Sequence, residues 1–532
     1  MRKLFISAFI FVAIVNVTLN GQMRLFNENS YKFGKALDYI NSYYVDTTNQ
    51  PKLVESAIIG MLKELDPHSS YMTAKEVKEM NEPLQGNFEG IGVSFQILSD
   101  TIYIINPIAG GPSEKIGVLA GDKIIKIDGK NVAGIKITNN DVFAKLRGNK
   151  GTKVTISVLR KGSSELLDYT ITRDKIPIYS IDATYMVNSE TGYIKLVRFA
   201  QTSGKEFENA MEKLQKQKMK NLILDLTDNG GGYLEEAVFL ADQFLDAKKL
   251  IVYTQGVHSP KQEYSSTSRG MFEKGNLVIL IDEGSASASE ILSGAIQDWD
   301  RGVIVGRRSF GKGLVQRPLF FEDGSMLRLT IARYYTPSGR LIQKPYENGV
   351  EAYEKDLINR YNNGELSNKD SIHFPDSLKR YTLVEKRVVY GGGGIMPDYF
   401  VPIDTSHYSV YYRDLVRKGI LNKFVLSFID QNRAKLKSSF PDFASYKSNF
   451  NTDTVFTKLI TYAETDGLKP NQDDINKSKS EITMLLKAYI ARDLWDSNEF
   501  CQIVNEDNAM LKQALQVIQK PETIMPKKVR KK

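Results

Sequence analysis

Apolar residues along this chain repeat with a period that changes from region to region. Between residues 23 and 84, Tyr31, Phe33, Leu37, Ile40 and Tyr44, and then Leu53, Ala57, Ile58, Met61, Leu62 and Leu65, recur at roughly helical spacing. That spacing predicts an N-terminal helical region. From 85 to 173 the texture is one of short β runs (90–95, 101–105, 123–127, 154–159) separated by Gly111-Pro112-Ser113, Ala120-Gly121-Asp122 and Asp128-Gly129-Lys130. One helix-like stretch, 140–146, interrupts them, and the whole reads as a small β domain. From 174 to 404 the pattern is α/β. Strand-like runs at 193–199, 221–226, 277–281, 303–305, 326–335 and 399–403 alternate with amphipathic helices at 205–217, 233–245 and to about Trp299. A long polar insertion at 345–390, with a helix near 353–361, interrupts this core. Beyond 405 the chain to 532 is charge-rich, with apolar positions such as Leu421, Phe424, Leu426 and Ile429, then Ile482, Leu485, Leu486, Tyr489 and Ile490, which predict an appended helical domain.

Composition agrees with several folded domains. The chain has 532 residues, 42% hydrophobic and 25% charged, too long for one ordinary core. The formal charge of +8 is partly spent in the tail Lys527-Lys528-Val529-Arg530-Lys531-Lys532. No basic, aromatic-rich motif accompanies it, so no nucleic-acid partner is expected. Arg2 and Lys3 precede an apolar run from 4 to 15, the order of a secretory signal, while Val17 and Leu19 extend the run without a small-x-small cleavage site. Residues 1–22 are therefore read as a signal peptide or an N-terminal anchor, and the protein as exported. Cys501 is the sole cysteine, which leaves neither a disulfide framework nor a lipidated cysteine after the signal.

Two turns carry candidate chemistry. Asp228-Asn229-Gly230-Gly231-Gly232 follows one strand, and its glycines let backbone N–H groups approach a substrate closely. Gly284-Ser285-Ala286-Ser287-Ala288-Ser289-Glu290 follows another, where a serine hydroxyl would stand at a helix N-terminus with unpaired N–H groups beside it. Ser287 and Glu290 also fit a capping box, a purely structural role. In a parallel sheet such turns gather at the carboxyl ends of the strands and can face one pocket. None of the four histidines lies in this stretch, and His68 has no second ligand at metal spacing, so no metal is expected.

The ordered set of segments Leu65-Asp66-Pro67-His68-Ser69, the β block, Asp225-Leu226-Thr227-Asp228-Asn229-Gly230-Gly231-Gly232, residues 284–291, Phe310-Gly311-Lys312-Gly313-Leu314-Val315-Gln316, Leu329-Thr330-Ile331-Ala332 through Gly339-Arg340, and Gly394-Ile395-Met396-Pro397-Asp398 resembles the carboxyl-terminal processing proteases. These are PDZ-containing S41-type serine peptidases with a serine–lysine pair. The resemblance runs over roughly 30–403. It implies a multidomain α/β protein: an N-terminal helical region, a PDZ-like β domain, a crotonase-like protease core and a C-terminal helical domain. It also implies Ser287 as nucleophile, Lys312 as general base, Gln316 as the residue orienting the lysine, and the N–H groups of Gly231 and Ala288 as oxyanion hole. Gly90-Ile91-Gly92-Val93 resembles the carboxylate-binding loop of a PDZ domain, whose strand edge pairs with a peptide by β-augmentation. Two departures stand in the first loop: Thr227 and Gly230 occupy the positions where the family has arginine and proline. A glycine there loosens the loop, so oxyanion geometry is expected to depend more on substrate or PDZ docking.

The chemistry sets its own conditions. A free lysine titrates near 10.4, so a useful base at pH 7 needs a lowering of about three units, roughly 4 kcal/mol, and burial must supply it. Phe310, Leu314 and Val315 beside Lys312 would provide apolar surroundings if folded inward. Gln316 accepts a hydrogen bond without adding a charge that would lock the lysine protonated. In a straight strand the two side chains would be about 13 Å apart, so contact requires a bend at Gly313. The expected function is an exported serine endopeptidase, in a bacterial periplasm or on the periplasmic face of the inner membrane, acting without cofactor on protein or peptide substrates with an accessible C-terminus. Membrane association through the N-terminal segment and homo-oligomerisation stay open. The rivals are an inactive PDZ and protease-like scaffold for envelope proteins, and an esterase using serine with His258 or another histidine.

Overall fold

The structure is a computed structural model and describes residues 28–520. The signal or anchor segment and the basic tail lie outside the described residues, and among the described residues no helix is long and apolar enough to cross a membrane.

The molecule combines an N-terminal helical region, a PDZ-like β domain, an α/β core and a C-terminal helical region. The core is built on a six-stranded sheet in the order Ile181–Met186, Thr191–Leu196, Asn221–Asp225, Asn276–Ile281, Val303–Gly306 and Tyr399–Phe400. The first pair is antiparallel and the rest parallel. Successive side chains of a strand point to opposite faces, so an unbroken apolar run needs cover on both. In Asn276–Ile281, Leu277, Ile279 and Ile281 pack with the helices Leu234–Asp242 and Ala288–Asp298 on one side. Val278 and Leu280 enter a second cluster with Met510, Leu511 and Ala514. The last helix among the described residues, Ala509–Ile518, therefore packs on the core sheet, although the sequence pattern grouped it with the appended helices.

A second sheet carries Ser70–Met72, Met326–Tyr335, Leu250–Gly256 and Ser259–Ser265, with Leu314–Phe320 pairing along Met326–Tyr335. Ser70–Met72 brings the N-terminal region directly to this sheet. The PDZ-like domain enters and leaves through one ribbon, Asn87–Gly90 paired with Asp174–Pro177. The helix leading into it, Ala74–Gln85, is bound to the domain through Glu82 and Arg147 (2.5 Å). A bundle from Val410–Arg417 to Ser497–Val504 encloses its own core, and Lys161 Nζ donates to Asp430 O (2.7 Å) between the PDZ-like domain and the bundle. The insertion holds two short helices, Val350–Glu354 and Asp356–Asn362, and a small ribbon, Lys379–Tyr381 with Val388–Tyr390.

Candidate active site

Ser287 stands between Asn276–Ile281 and the helix Ala288–Asp298 with φ 55° and ψ −111°, a conformation that costs a residue with a Cβ of order 1–3 kcal/mol. The surroundings impose it. Ala286 N–H donates to Asn229 O (3.0 Å), Ser287 N–H to Glu290 Oε2 (2.8 Å) and Tyr334 OH to Ser287 O (3.1 Å). The neighbouring serines are committed elsewhere: Ser285 Oγ donates to Leu226 O and Ser289 Oγ to Asn229 O, each at 2.8 Å, and both residues are fully buried. The Glu290 N–H donates to Ser287 O (2.9 Å). Of the three serines only Ser287 lines the cavity of about 1220 Å³ that opens beside the turn.

Lys312 lines the same cavity, from an irregular loop over 307–313. Every N–H of residues 309–313 has a partner outside the loop. Ser309 donates to Ile395 O, Phe310 to Ser285 O, Gly311 to Glu290 Oε1 (2.7 Å), Lys312 to Glu290 Oε2 (2.9 Å) and Gly313 to Gln343 Oε1 (2.8 Å). Glu290 is thus the joint between serine and lysine. Fully buried, it accepts from Ser287, Ser309, Gly311 and Lys312, so both oxygens act as acceptors and the carboxylate form fits the site. Tyr334 adds a second joint, its single hydroxyl proton shared between Ser287 O and Lys312 O. The Lys312 ammonium makes no hydrogen bond to the protein among the described residues. Burial, reinforced by Arg328, brings its pKa down to about 8, against the opposing pull of Glu290 and Asp66.

The other expected residues fall as follows. A Cβ on Gly231 would meet Ala286 O at 2.7 Å, Ser287 Cβ at 2.8 Å and Ala288 N at 2.9 Å, so its backbone lies against the turn, at a φ of +98° that favours glycine. The Gly231 N–H is engaged by Asn229 Oδ1 (2.9 Å), whereas among the described residues no backbone partner takes the Ala288 N–H. Gln316 lines the cavity but does not reach Lys312. Its Nε2 donates weakly to Thr330 Oγ1 (3.4 Å), which in turn donates to Asp66 Oδ1 (3.0 Å). The loop over 307–313 and a register shift between Val315 and Gln316 supply a bend on each side of Gly313. Thr227, where arginine was expected, receives Lys195 Nζ on both its carbonyl and its hydroxyl (2.6 Å each), and the same ammonium pairs with Asp225. A cation therefore reaches this loop from the neighbouring strand.

Sequence reasoning gave Glu290 only a capping role and gave Tyr334, Asn229 and Asp66 none. A glutamate three positions after the serine was the one available signal, and it does not tell a cap from a bridge. His258 lines the cavity from the hairpin between Leu250–Gly256 and Ser259–Ser265, with no hydrogen bond to Ser287. His68 lies on the lysine side, where burial and Lys312 hold its pKa down to about 4 and Nε2 meets Tyr353 OH (2.7 Å). In the PDZ-like domain, Gly90 closes the entry ribbon, Ile91 is buried and Gly92 has φ 72°. Among the described residues the N–H groups of Ile91 and Gly92 have no protein acceptor, and Val93 opens the strand Val93–Leu98. Among the described residues no group of three or more His, Cys, Asp or Glu side chains is placed to hold a metal ion.

Parts of the chain are similar to known families and proteins. Residues 190–352 match peptidase family S41, 90–171 a PDZ domain, 15–76 the N-terminal domain of the activating protease CtpB, and 411–496 a family of unknown function. The carboxy-terminal-processing protease of Bartonella bacilliformis is 38% identical over 344 residues, 64% of this chain and 78% of that protein. Carboxy-terminal processing protease CtpA of Bacillus subtilis is 36% identical over 314 residues, 59% of this chain and 66% of that protein. Among solved structures, a photosystem II D1 C-terminal processing protease is 28% identical, covering 59% of this chain and 90% of that one with a TM-score of 0.33.

Proposed function

Because the chain belongs to the carboxy-terminal processing serine proteases of peptidase family S41, with a PDZ domain, we propose that it is an exported endopeptidase cutting through a Ser287–Lys312 acyl-enzyme mechanism. The observation that carries the mechanism is the junction at Glu290, one buried carboxylate holding the backbone N–H groups of both residues while burial lowers the lysine pKa to about 8.

In this mechanism neutral Lys312 takes the proton of Ser287 Oγ as the oxygen attacks the scissile carbonyl carbon. The oxyanion is held by the Ala288 and Gly231 N–H groups, the latter exchanging Asn229 Oδ1 for the substrate oxygen. Collapse of the tetrahedral intermediate breaks the C–N bond, and the lysine ammonium passes its proton to the leaving amine. Lys312 then deprotonates a water that attacks the acyl carbonyl, and as the C–Oγ bond breaks the ammonium returns that proton to Ser287 Oγ, releasing the new carboxyl terminus. Gln316, neutral and lining the same cavity as the lysine, is the proposed orienting residue. The substrate C-terminus is proposed to bind the Gly90-Ile91-Gly92-Val93 loop, a reading supported by the uncommitted N–H groups of Ile91 and Gly92. Export to a periplasm, with the N-terminal segment as signal or anchor, rests on Arg2, Lys3 and the apolar run after them.

The test is intact-mass analysis of a loosely folded reporter with an apolar C-terminus, incubated with wild type, Ser287→Ala, Lys312→Ala and His258→Ala. Wild type and His258→Ala should cut, while the other two should lose about 10⁴-fold or more in rate. Amidating the reporter's C-terminus should slow cutting if the PDZ loop selects substrate. Cleavage by Lys312→Ala at the wild-type rate would remove the lysine from the mechanism. Loss with His258→Ala alone would favour a serine–histidine hydrolase.

A further inference from the structure

The loop carrying Lys312 belongs to no helix or strand, so its carbonyl groups, like its N–H groups, need partners from elsewhere. Lys344 N–H donates to Gly311 O (2.8 Å), Tyr334 OH to Lys312 O and Tyr334 N–H to Gly313 O (3.0 Å). The two preceding carbonyls are taken by one side chain from the insertion. Arg360 Nη1 donates to Ser309 O (2.8 Å) and Nη2 to Phe310 O (3.0 Å).

Arg360 lies on the helix Asp356–Asn362 and is only 3% exposed. Its Nε stands 2.9 Å from Asp356 Oδ2, one turn earlier, and Asp356 also pairs with Lys344 Nζ (2.9 Å). The Lys344 ammonium in turn sits over the rings of Phe310 (4.0 Å) and Tyr353 (4.1 Å). A guanidinium is costly to bury unless its donors are used, and its planar fork can bridge two carbonyls at fixed spacing where a lysine cannot. The residue after Phe310 is Gly311 with φ +90°, where a Cβ would meet Gly394 N and Lys344 Cβ, each at 3.1 Å. Fixing the carbonyls of 309 and 310 therefore fixes the turn from which the Lys312 side chain departs. The stretch matching family S41 ends at residue 352, so this clamp comes from outside it.

We propose that Arg360 is a positioning residue for the general base, acting through the carbonyls of Ser309 and Phe310, and that the 345–390 insertion is part of the catalytic apparatus. The proposal rests on the serine–lysine reading. Releasing the clamp lets water reach the lysine and moves its side chain relative to Ser287, while the charged and titratable groups facing it (Glu290, Asp66, His68 and Arg328) stay in place.

The test uses the full chain as wild type, Arg360→Gln, Arg360→Lys and Asp356→Asn, with Lys312→Ala as control. kcat and KM on the reporter are measured from pH 6 to 10, and melting curves are recorded in parallel. Arg360→Gln should lower kcat about tenfold or more with KM little changed, since small misplacements at a reacting centre are costly. It should also move the pH of half-maximal rate upward from near 8 toward the ordinary lysine value of about 10.4. Arg360→Lys should recover part of the rate and Asp356→Asn should shift the profile less, in the same direction. A folded Arg360→Gln with the wild-type kcat and profile overturns the proposal, as does a loss of stability with the profile unmoved. If Arg360→Gln does not fold, an unmoved profile in Asp356→Asn overturns it. Full activity in Lys312→Ala would instead sink the serine–lysine reading, whatever the Arg360 variants do.

Discussion

At Lys312, burial acts on reactivity and on stability through the same proton. Burial brings the folded pKa down to about 8 against 10.5 for a solvated lysine, so between these values the unfolded chain binds more protons than the folded one. Stability therefore rises with pH across that window, and the penalty of burying the ammonium is fully present below about pH 8. The difference corresponds to roughly 3 kcal/mol. Lys312→Met should abolish cleavage yet raise the melting temperature at pH 7, with the gain shrinking as pH climbs from 8 to 10.5. Thermal melts at a series of pH values check this, and a gain that does not change with pH would show that the ammonium is not desolvated. For wild type the neutral lysine accumulates upward through pH 8, so kcat/KM on the reporter should rise there. His68, held down to about 4 by burial and Lys312, stays neutral over this range and contributes no second inflection.

At the scale of elements, the site is two strand-to-helix turns and one irregular loop locked together by Glu290, Asn229 and Tyr334. Gly231 packs against the serine turn too closely for any side chain, and at a φ that disfavours one. Gly231→Ala should lose about 10²-fold or more in kcat, the scale of a lost oxyanion donor, with a lower melting temperature. A reactive-serine label that still reacts with this variant at the wild-type rate would place the oxyanion donors elsewhere. Glu290→Gln puts an NH₂ group against N–H donors that now meet carboxylate oxygens, leaving buried donors unpaired at about 1–3 kcal/mol. Its cleavage rate should fall together with its stability, and wild-type values of both would deny the glutamate its bridging role.

For the whole molecule, the C-terminal region divides into two parts with different roles. The helix Ala509–Ile518 covers the outer face of the core sheet, whereas the bundle before it closes on its own core around Leu459, Ile482 and Leu486. Ala514→Asp, an unpaired charge buried against the sheet, should lower the melting transition of the core and the cleavage rate with it. Leu459→Ala should cost about 2–5 kcal/mol in the bundle and leave cleavage of a short peptide nearly unchanged. Calorimetry on the two variants separates these outcomes, and a single transition lowered equally by both would mean that bundle and core unfold as one unit.

The sequence by itself determined the order of regions, the period of each and the segments that mark the family. Local periodicity and turn composition are written in consecutive residues: the unbroken run at 277–281 demanded cover on both faces, and Gly284 to Glu290 announced a strand-to-helix turn. Only the tertiary structure decided what supplies that cover and how the turn is used. The outer face of the sheet is closed by Ala514 and its neighbours, more than two hundred residues downstream, which no local period reveals. The same holds at the site, where Ser285, Ser287 and Ser289 look alike in a string and the fold sets them apart, a distant carbonyl taking the hydroxyls of Ser285 and Ser289 while Ser287 lines the cavity. Glu290 reads as a cap until the loop over 307–313 folds onto it, and Arg360 reads as one charge in a polar insertion until two carbonyls meet its fork. Hydrogen bonds between residues far apart in the chain carry no sequence period, so their partners emerge only when the fold brings them together.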